Sequence, residues 1–331
     1  MYREFKAMVV EQAGDEIVFA PKTITVDDLH EGQVLIKVAY SSVNYKDMLA
    51  VQKNSGVIRN YPMIPGIDLA GTVVSSETDE FTLGQEVLVT GYEMGMSHTG
   101  GFSEYARVPK DWVVPLPEGL TMKDAMILGT AGLTAGLSVL ALEKAGMTVD
   151  KQPQILVTGA SGGVGSVGLA ILKSQGYEHI SALTRKDNQD ELVCRLGASK
   201  IIKPDQVFIK ENPLLLKGIY NYVLDTVGGD VVAHLIPQID YDGAVSLCGN
   251  AGGVKMMTNV LPFILRGVQA LGIDSVQISH EKRIAVWEKF AKEWKIVDQL
   301  AYDEISLEEL PETMTLLKEG RHLGRTIVKI G

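Results

Sequence analysis

Polar and apolar residues alternate from Val34 to Val38, the period-two signature of a half-buried strand, and similar short runs recur as far as Val114. Glycine and proline interrupt them often, as at Pro62, Pro65, Gly66, Gly84, Gly100 and Pro115. The pattern predicts a β-rich, barrel-like domain over roughly residues 1–125. Beyond it, short apolar runs alternate with helical stretches. Strands are expected at 154–159, 179–184, 200–203, 220–225, 243–248 and 268–273. Runs apolar on both faces are what a parallel sheet covered on both sides requires, and six of them in this rhythm make a doubly wound α/β domain. A ligand of such a sheet lies outside the carboxyl ends of its strands. A charged amphipathic helix is expected from about Glu281 to Lys295. A last strand, Thr326–Ile330, is placed to return to the first domain.

The stretch Gln154–Gly176, QILVTGASGGVGSVGLAILKSQG, carries the strongest chemical signal. A β-branched strand runs into a glycine-rich turn, and a helix with small residues on its packing face follows. A dinucleotide pyrophosphate needs that order: a tight turn, close backbone approach, and free N–H groups at the positive end of a helix. In the six-position fingerprint the chain reads Ala160-x-Gly162-x-x-Gly165, with alanine where the first glycine usually stands. The second strand of the domain ends Ala182-Leu183-Thr184-Arg185-Lys186. An NAD-selective site places a carboxylate there for the ribose hydroxyls; here a hydroxyl and two cations stand ready for a 2′-phosphate, which favours NADPH. Asp187 comes one position too late for the ribose role.

With 331 residues, the chain has room for two domains. A net charge of −10 argues against nucleic acid as a partner, since phosphate contacts need clustered cations. The only cysteines, Cys194 and Cys248, are expected as buried, reduced thiols, which suits a cytoplasmic setting. The charged N-terminus MYREFKAMVV does not read as an export signal. Ala125–Leu142 is uncharged over a length at the lower limit for a membrane span, but its Gly and Thr content and charged flanks predict a helix buried between domains rather than a membrane segment.

Several motifs together resemble one family. They are NYKD (Asn44–Asp47), YPMIPGIDLAGTV (Tyr61–Val73), GGFSEY (Gly100–Tyr105), LGTAGLTA (Leu128–Ala135), TGASGGVG, LDTVGG and LPFILRGV followed by GIDSV. The chain resembles the zinc-free quinone oxidoreductase branch of the medium-chain dehydrogenase/reductase superfamily, and within it the YhdH/YhfP group, which includes acrylyl-CoA reductases. The resemblance runs from Val34 to Lys329. It implies a GroES-like β-barrel catalytic domain, residues 1–125 and 295–331, around a Rossmann NAD(P)-binding domain, residues 126–294. It also implies NADPH-dependent reduction of an α,β-unsaturated carbonyl, acrylyl-CoA above all, with a quinone or general enone as the alternative acceptor. A homodimer joined along the strand near Val268–Ile273 is implied as well. A reading of another class is a non-catalytic NADPH-binding redox sensor.

Zinc is not expected. The superfamily's catalytic site needs a cysteine and a histidine where this chain has Asn44 and the Ile67–Asp68 region. Its structural lobe needs four close cysteines, and His30, His98, His179, His234, His280 and His322 show no ligand spacing. A substrate carbonyl is then polarised by hydrogen-bond donors. Carried over from the family pattern, Ser161, Gly162, Gly163 and Val164 hold the pyrophosphate, and Thr184, Arg185 and Lys186 take the adenosine phosphate. Asn250 and Ile264 contact the nicotinamide half, with Ser275 and Arg325 closing over it. Tyr45 is the candidate catalytic residue, ordering the cofactor or giving a proton to the enolate left by hydride addition. Asn44 and Asp47 are expected to hold the loop, Asp225 a turn, and Cys248 a packed position. Lys46, Lys53, Arg59, Arg266 and Arg283 are the cations from which a patch for CoA phosphates would be drawn.

Overall fold

The computed structural model describes residues 4–185, 190–208 and 214–331. The chain forms two compact units, one comprising Met1–Thr130, Val276–Glu293 and Tyr302–Gly331, the other Ala131–Ser275 and Trp294–Ala301.

In the first unit, β1 (Phe5–Ala13) and β2 (Glu16–Ile24) form an antiparallel hairpin. The main sheet is built from β3 (Val34–Ser42), β4 (Asp68–Ser76), β5 (Glu86–Thr90), β6 (Tyr105–Val108) and β7 (Val114–Pro115). Two late strands, β14 (Tyr302–Ile305) and β15 (Arg325–Lys329), complete it in the order β14-β15-β3-β4-β5-β7, with β6 also on β3. The expected C-terminal strand is therefore β15, paired antiparallel with β3 through Ile327 opposite Ser42. The alternation that marked β3 has its physical basis here: Val34, Ile36 and Val38 enter a buried cluster with Leu69, Val87 and Val89 while Lys37 faces solvent. Short helices α1 (Tyr45–Ala50) and α8 (Leu310–Lys318) pack on this unit, and α7 (His280–Lys292) belongs to it.

The second unit is a six-stranded parallel sheet of β8 (Ile155–Thr158), β9 (Ile180–Leu183), β10 (Lys200–Ile202), β11 (Tyr220–Asp225), β12 (Ile239–Leu247) and β13 (Gln269–Gly272). The spatial order β10-β9-β8-β11-β12-β13 places the first strand of the unit centrally, with the chain winding outward to either side. Helices α3 (Gly163–Ser174), α4 (Asp190–Arg195), α5 (Gly229–Leu235) and α6 (Leu261–Arg266) fall between its strands. All residues of β8 and β9 are buried, as their unbroken apolar character demands. Each such Leu, Ile or Val withdraws enough surface to contribute about 1.5–3 kcal/mol. Strand β13 lies at the sheet edge, and Gln269, Ala270 and Gly272 are exposed.

Helix α2 (Met122–Lys144) is long and apolar enough to cross a membrane, but 78% of its most apolar window is buried inside the protein. That burial is the mark of a core helix.

The sequence reading ended the nucleotide-binding domain at residue 294, whereas residues 276–293 pack with the first unit. Their anchor is Arg283 on α7, fully buried, which donates to the Thr90 carbonyl at 2.6 Å, the Thr90 hydroxyl at 3.0 Å and the Val276 carbonyl at 2.9 Å. No local pattern announces an arginine that bonds Thr90, 193 residues away.

Candidate functional site

The glycine turn of the second unit is built as its chemistry requires. Strand β8 ends at Thr158, and Gly159 turns the chain at φ +57°, with Thr226 Oγ1 lying 2.3 Å from where a Cβ would stand. A Cβ on Gly165 would come within 2.4 Å of the Gly159 carbonyl oxygen and 2.8 Å of Ala160 Cα, so α3 sits directly on the turn. One turn further, a Cβ on Gly168 would lie 2.9 Å from Leu224 Cδ1, which presses the same helix onto β11. Gly162 precedes the helix and donates to the Gly159 carbonyl at 2.9 Å. The first N–H groups of this twelve-residue helix have no partner of their own within it and point along the positive end of its dipole, a cradle suited to a pyrophosphate.

Ser161, in the turn, and Thr184, just past β9, are both buried, and their hydroxyl oxygens lie 3.3 Å apart. The structure thus brings two of the proposed cofactor contacts together, with Arg185 exposed next to them. Lys186 lies outside the described residues. Asp225 closes the neighbouring turn. It accepts from Thr158 Oγ1 at 2.6 Å and the Gly228 N–H at 2.8 Å, and burial raises its carboxyl above the usual range. That is the turn-holding role expected of it. Cys248 donates from Sγ to the Asp225 carbonyl at 3.1 Å, and burial pushes its thiol up to about 12, leaving it inert near neutrality. Both cysteines are free thiols, but only Cys248 is partly enclosed; Cys194 is exposed, because its helix α4 turns that face outward. Asn250 and Ile264 are exposed in this unit, and Ser275 is buried, accepting from Thr134 Oγ1 at 2.7 Å.

In the first unit the NYKD segment opens α1. Asn44 precedes the helix, Tyr45 is its first residue with 42% exposure, and Asp47 turns back to accept the Asn44 N–H at 2.8 Å. Asn and Asp shape the loop here, as their local bonding habits predict. Behind them lies a polar network that the sequence did not disclose. Asp68 Oδ2 accepts from Ser42 Oγ at 2.6 Å, Asn44 Nδ2 at 2.7 Å and the Thr130 N–H at 2.9 Å, and Oδ1 accepts from Thr130 Oγ1. Arg325, expected to close over the cofactor, is itself buried. It donates to the carbonyls of Ile127 at 2.9 Å and Val43 at 3.1 Å and to Ser42 Oγ at 3.1 Å. Its guanidinium is committed to the scaffold because Asp47, Asp68 and several carbonyls need a cation inside. The available signal was a carboxylate embedded in the apolar run of Pro65–Val73 and an arginine heading an apolar terminal strand.

Of the five cations considered for CoA phosphates, several are engaged by partners within the protein. Arg283 is the buried anchor described above, and Arg266 caps the carbonyls of Pro237 at 3.1 Å and Ile239 at 2.9 Å. Lys53 is paired with Asp15 at 3.3 Å, Arg59 Nε reaches the Gly56 carbonyl at 3.4 Å, and Lys46 is half-buried. Buried backbone carbonyls compete for arginine as effectively as a ligand does. Among the described residues no group of three or more His, Cys, Asp or Glu is arranged to hold a metal ion.

Comparison with known proteins agrees with this architecture. Residues 30–118 match the alcohol dehydrogenase GroES-like domain, and residues 163–292 the family described as zinc-binding dehydrogenase. YhfP of Bacillus subtilis, whose name assigns it to the quinone oxidoreductases, is 44% identical over 98% of this chain and 99% of its own. Its structure with NAD bound superposes with a TM-score of 0.95, covering 99% of both chains. The acrylyl-CoA reductase AcuI of Ruegeria pomeroyi is 40% identical over 98% of this chain and 99% of its own. YhdH of Escherichia coli, crystallised with NADPH, is 42% identical with a TM-score of 0.94, covering 98% of this chain and 100% of that one. Identity of this level over whole chains, in a protein with a GroES-like unit and a Rossmann-type unit, leads to one assignment: the chain belongs to the YhdH/YhfP group of zinc-free medium-chain dehydrogenase/reductases, a family of oxidoreductases.

Proposed function

We propose that this enzyme uses NADPH to reduce the C=C bond of a short 2-enoyl-CoA, acrylyl-CoA to propanoyl-CoA, without a metal. The observation that carries the cofactor choice is the end of β9: Thr184 stands beside Ser161, Arg185 follows, and no carboxylate occupies the ribose position. A 2′-phosphate finds charge-assisted donors there, whereas the ribose hydroxyls of NADH find no carboxylate to accept from both. Gly162, Gly163, Val164 and Ser161 hold the pyrophosphate, Thr184, Arg185 and Lys186 the adenosine phosphate, and Asn250, Ile264 and Ser275 the nicotinamide half. When bound, NADPH supplies the hydride, which adds to the β-carbon of the enoyl group. Tyr45 orders the cofactor or gives the proton that the α-carbon of the resulting enolate takes up.

The substrate class rests on likeness to AcuI over nearly the whole chain. Likeness to YhfP supports a quinone or enone as the second reading. Initial rates of NADPH oxidation with acrylyl-CoA, crotonyl-CoA, free enones and simple quinones separate them. Acrylyl-CoA is expected to give the highest kcat/KM, and a tenfold advantage for quinones would replace it. A protein that binds NADPH tightly but leaves it unoxidised with every one of these acceptors would be a sensor instead. We also place homodimer contacts along the open edge of β13, so that the particle in solution has twice the 35.9 kDa chain mass. A particle of single-chain mass removes that assignment.

A further inference from the structure

We propose that Asp47 is a positioning residue for Tyr45, tying the start of the helix that carries Tyr45 to the Gly66–Asp68 turn. This rests on the reading that Tyr45 works at the reacting centre, and goes beyond it by naming what fixes its aim. Asp47 is fully buried, and its carboxylate oxygens accept from two separate segments. Oδ2 takes the N–H of Asn44, the residue immediately before Tyr45, at 2.8 Å, and Oδ1 takes the N–H of Ile67 at 3.1 Å. Helix α1 has only six residues, so internal hydrogen bonds alone hold it poorly and outside ties decide its orientation. The half-exposed phenol therefore stands on a neighbour held by its backbone to Asp47 and by its side-chain amide to Asp68 at 2.7 Å.

The tie depends on charge. A carboxylate accepts on both oxygens at once, whereas a carboxylic acid turns one of them into a donor, facing an N–H that is also a donor. Two charged groups act on Asp47 from packed elements: Asp68 of β4 opposes its ionisation, and Arg325 of β15 attracts it. Its helix neighbour Lys46 is half-buried. Burial first, and Asp68 second, push the Asp47 carboxyl up to about 7, so protonation loosens the tie as pH falls through neutrality.

The test uses ring-labelled tyrosine, with the Tyr45 signal assigned by its loss in Tyr45→Phe. In the wild type this signal should move with a midpoint near pH 7, and in Asp47→Asn the movement should vanish. Asp47→Asn should also lower kcat about tenfold while leaving the KM for NADPH within about twofold, and cost nothing more once Tyr45 is Phe. A Tyr45 signal that titrates unchanged in Asp47→Asn, or equal kcat losses in both backgrounds, overturns the proposal. Should Asp47→Asn fail to fold, the wild type and Tyr45→Phe suffice. An acid limb of kcat near pH 7 that disappears in Tyr45→Phe supports the tie, and one that persists refutes it. A wild type inactive with every acceptor refutes the proposed function alone, because the Tyr45 signal reads the tie without turnover.

Discussion

Gly129→Ala should be a severely damaging single-methyl change, lowering stability by about 4 kcal/mol or more. Gly129 lies inside α2 at φ +53° and ψ −156°, a conformation that breaks the helical path and that L side chains avoid. The added Cβ would also enter the buried polar network, 2.5 Å from Ser42 Oγ, 2.6 Å from Asp68 Oδ2 and 2.9 Å from Arg325 Nη2. Each of those atoms is held by others, so none can retreat without leaving a buried charge short of partners. Gly56→Ala separates the two costs, since Gly56 has φ +74° and nothing within 4 Å of its Cβ position. It should lose only about 1–2 kcal/mol, the backbone share. Thermal unfolding of both variants checks this; equal losses would mean that the network tolerates the methyl group.

Gly165→Ala is expected to weaken NADPH binding by about a hundredfold, or roughly 2.7 kcal/mol. Gly165 is an ordinary helical residue with no backbone penalty, so its cost is purely one of contact. A Cβ there would meet the Gly159 carbonyl oxygen at 2.4 Å and Ala160 Cα at 2.8 Å. To relieve that overlap α3 must move away from the turn, taking with it the N–H groups that would face the pyrophosphate. Titration of intrinsic or cofactor fluorescence measures the change. Retained affinity would show that the helix N-terminus is not where the phosphates sit.

The parts of this molecule that follow local rules were legible in the chain. The strands β8 to β13 fall where unbroken apolar runs stood, and the glycine fingerprint marks the turn between β8 and α3. Asn44 and Asp47 open a helix, as their side-chain habits predict. What escaped is long-range pairing of buried charge. Nothing near Arg325 in sequence reveals that Ile127, Val43 and Ser42 will claim its guanidinium, and nothing near Arg283 points to Thr90. Arg325, expected over the nicotinamide half, and Arg283, considered for CoA phosphates, both serve the interior, because a buried carbonyl left without a donor is costly.

YhdH was crystallised with NADPH and YhfP with NAD, so the cofactor of this chain is the point on which its own residues must decide. The most direct measurement is kcat/KM for NADPH and for NADH with acrylyl-CoA as acceptor in the same buffer. Thr184 and Arg185 without a neighbouring carboxylate predict a preference for NADPH of about a hundredfold, the worth of one or two charge-assisted hydrogen bonds. Equal values, or a preference for NADH, would contradict the NADPH site on which the proposed reaction is built.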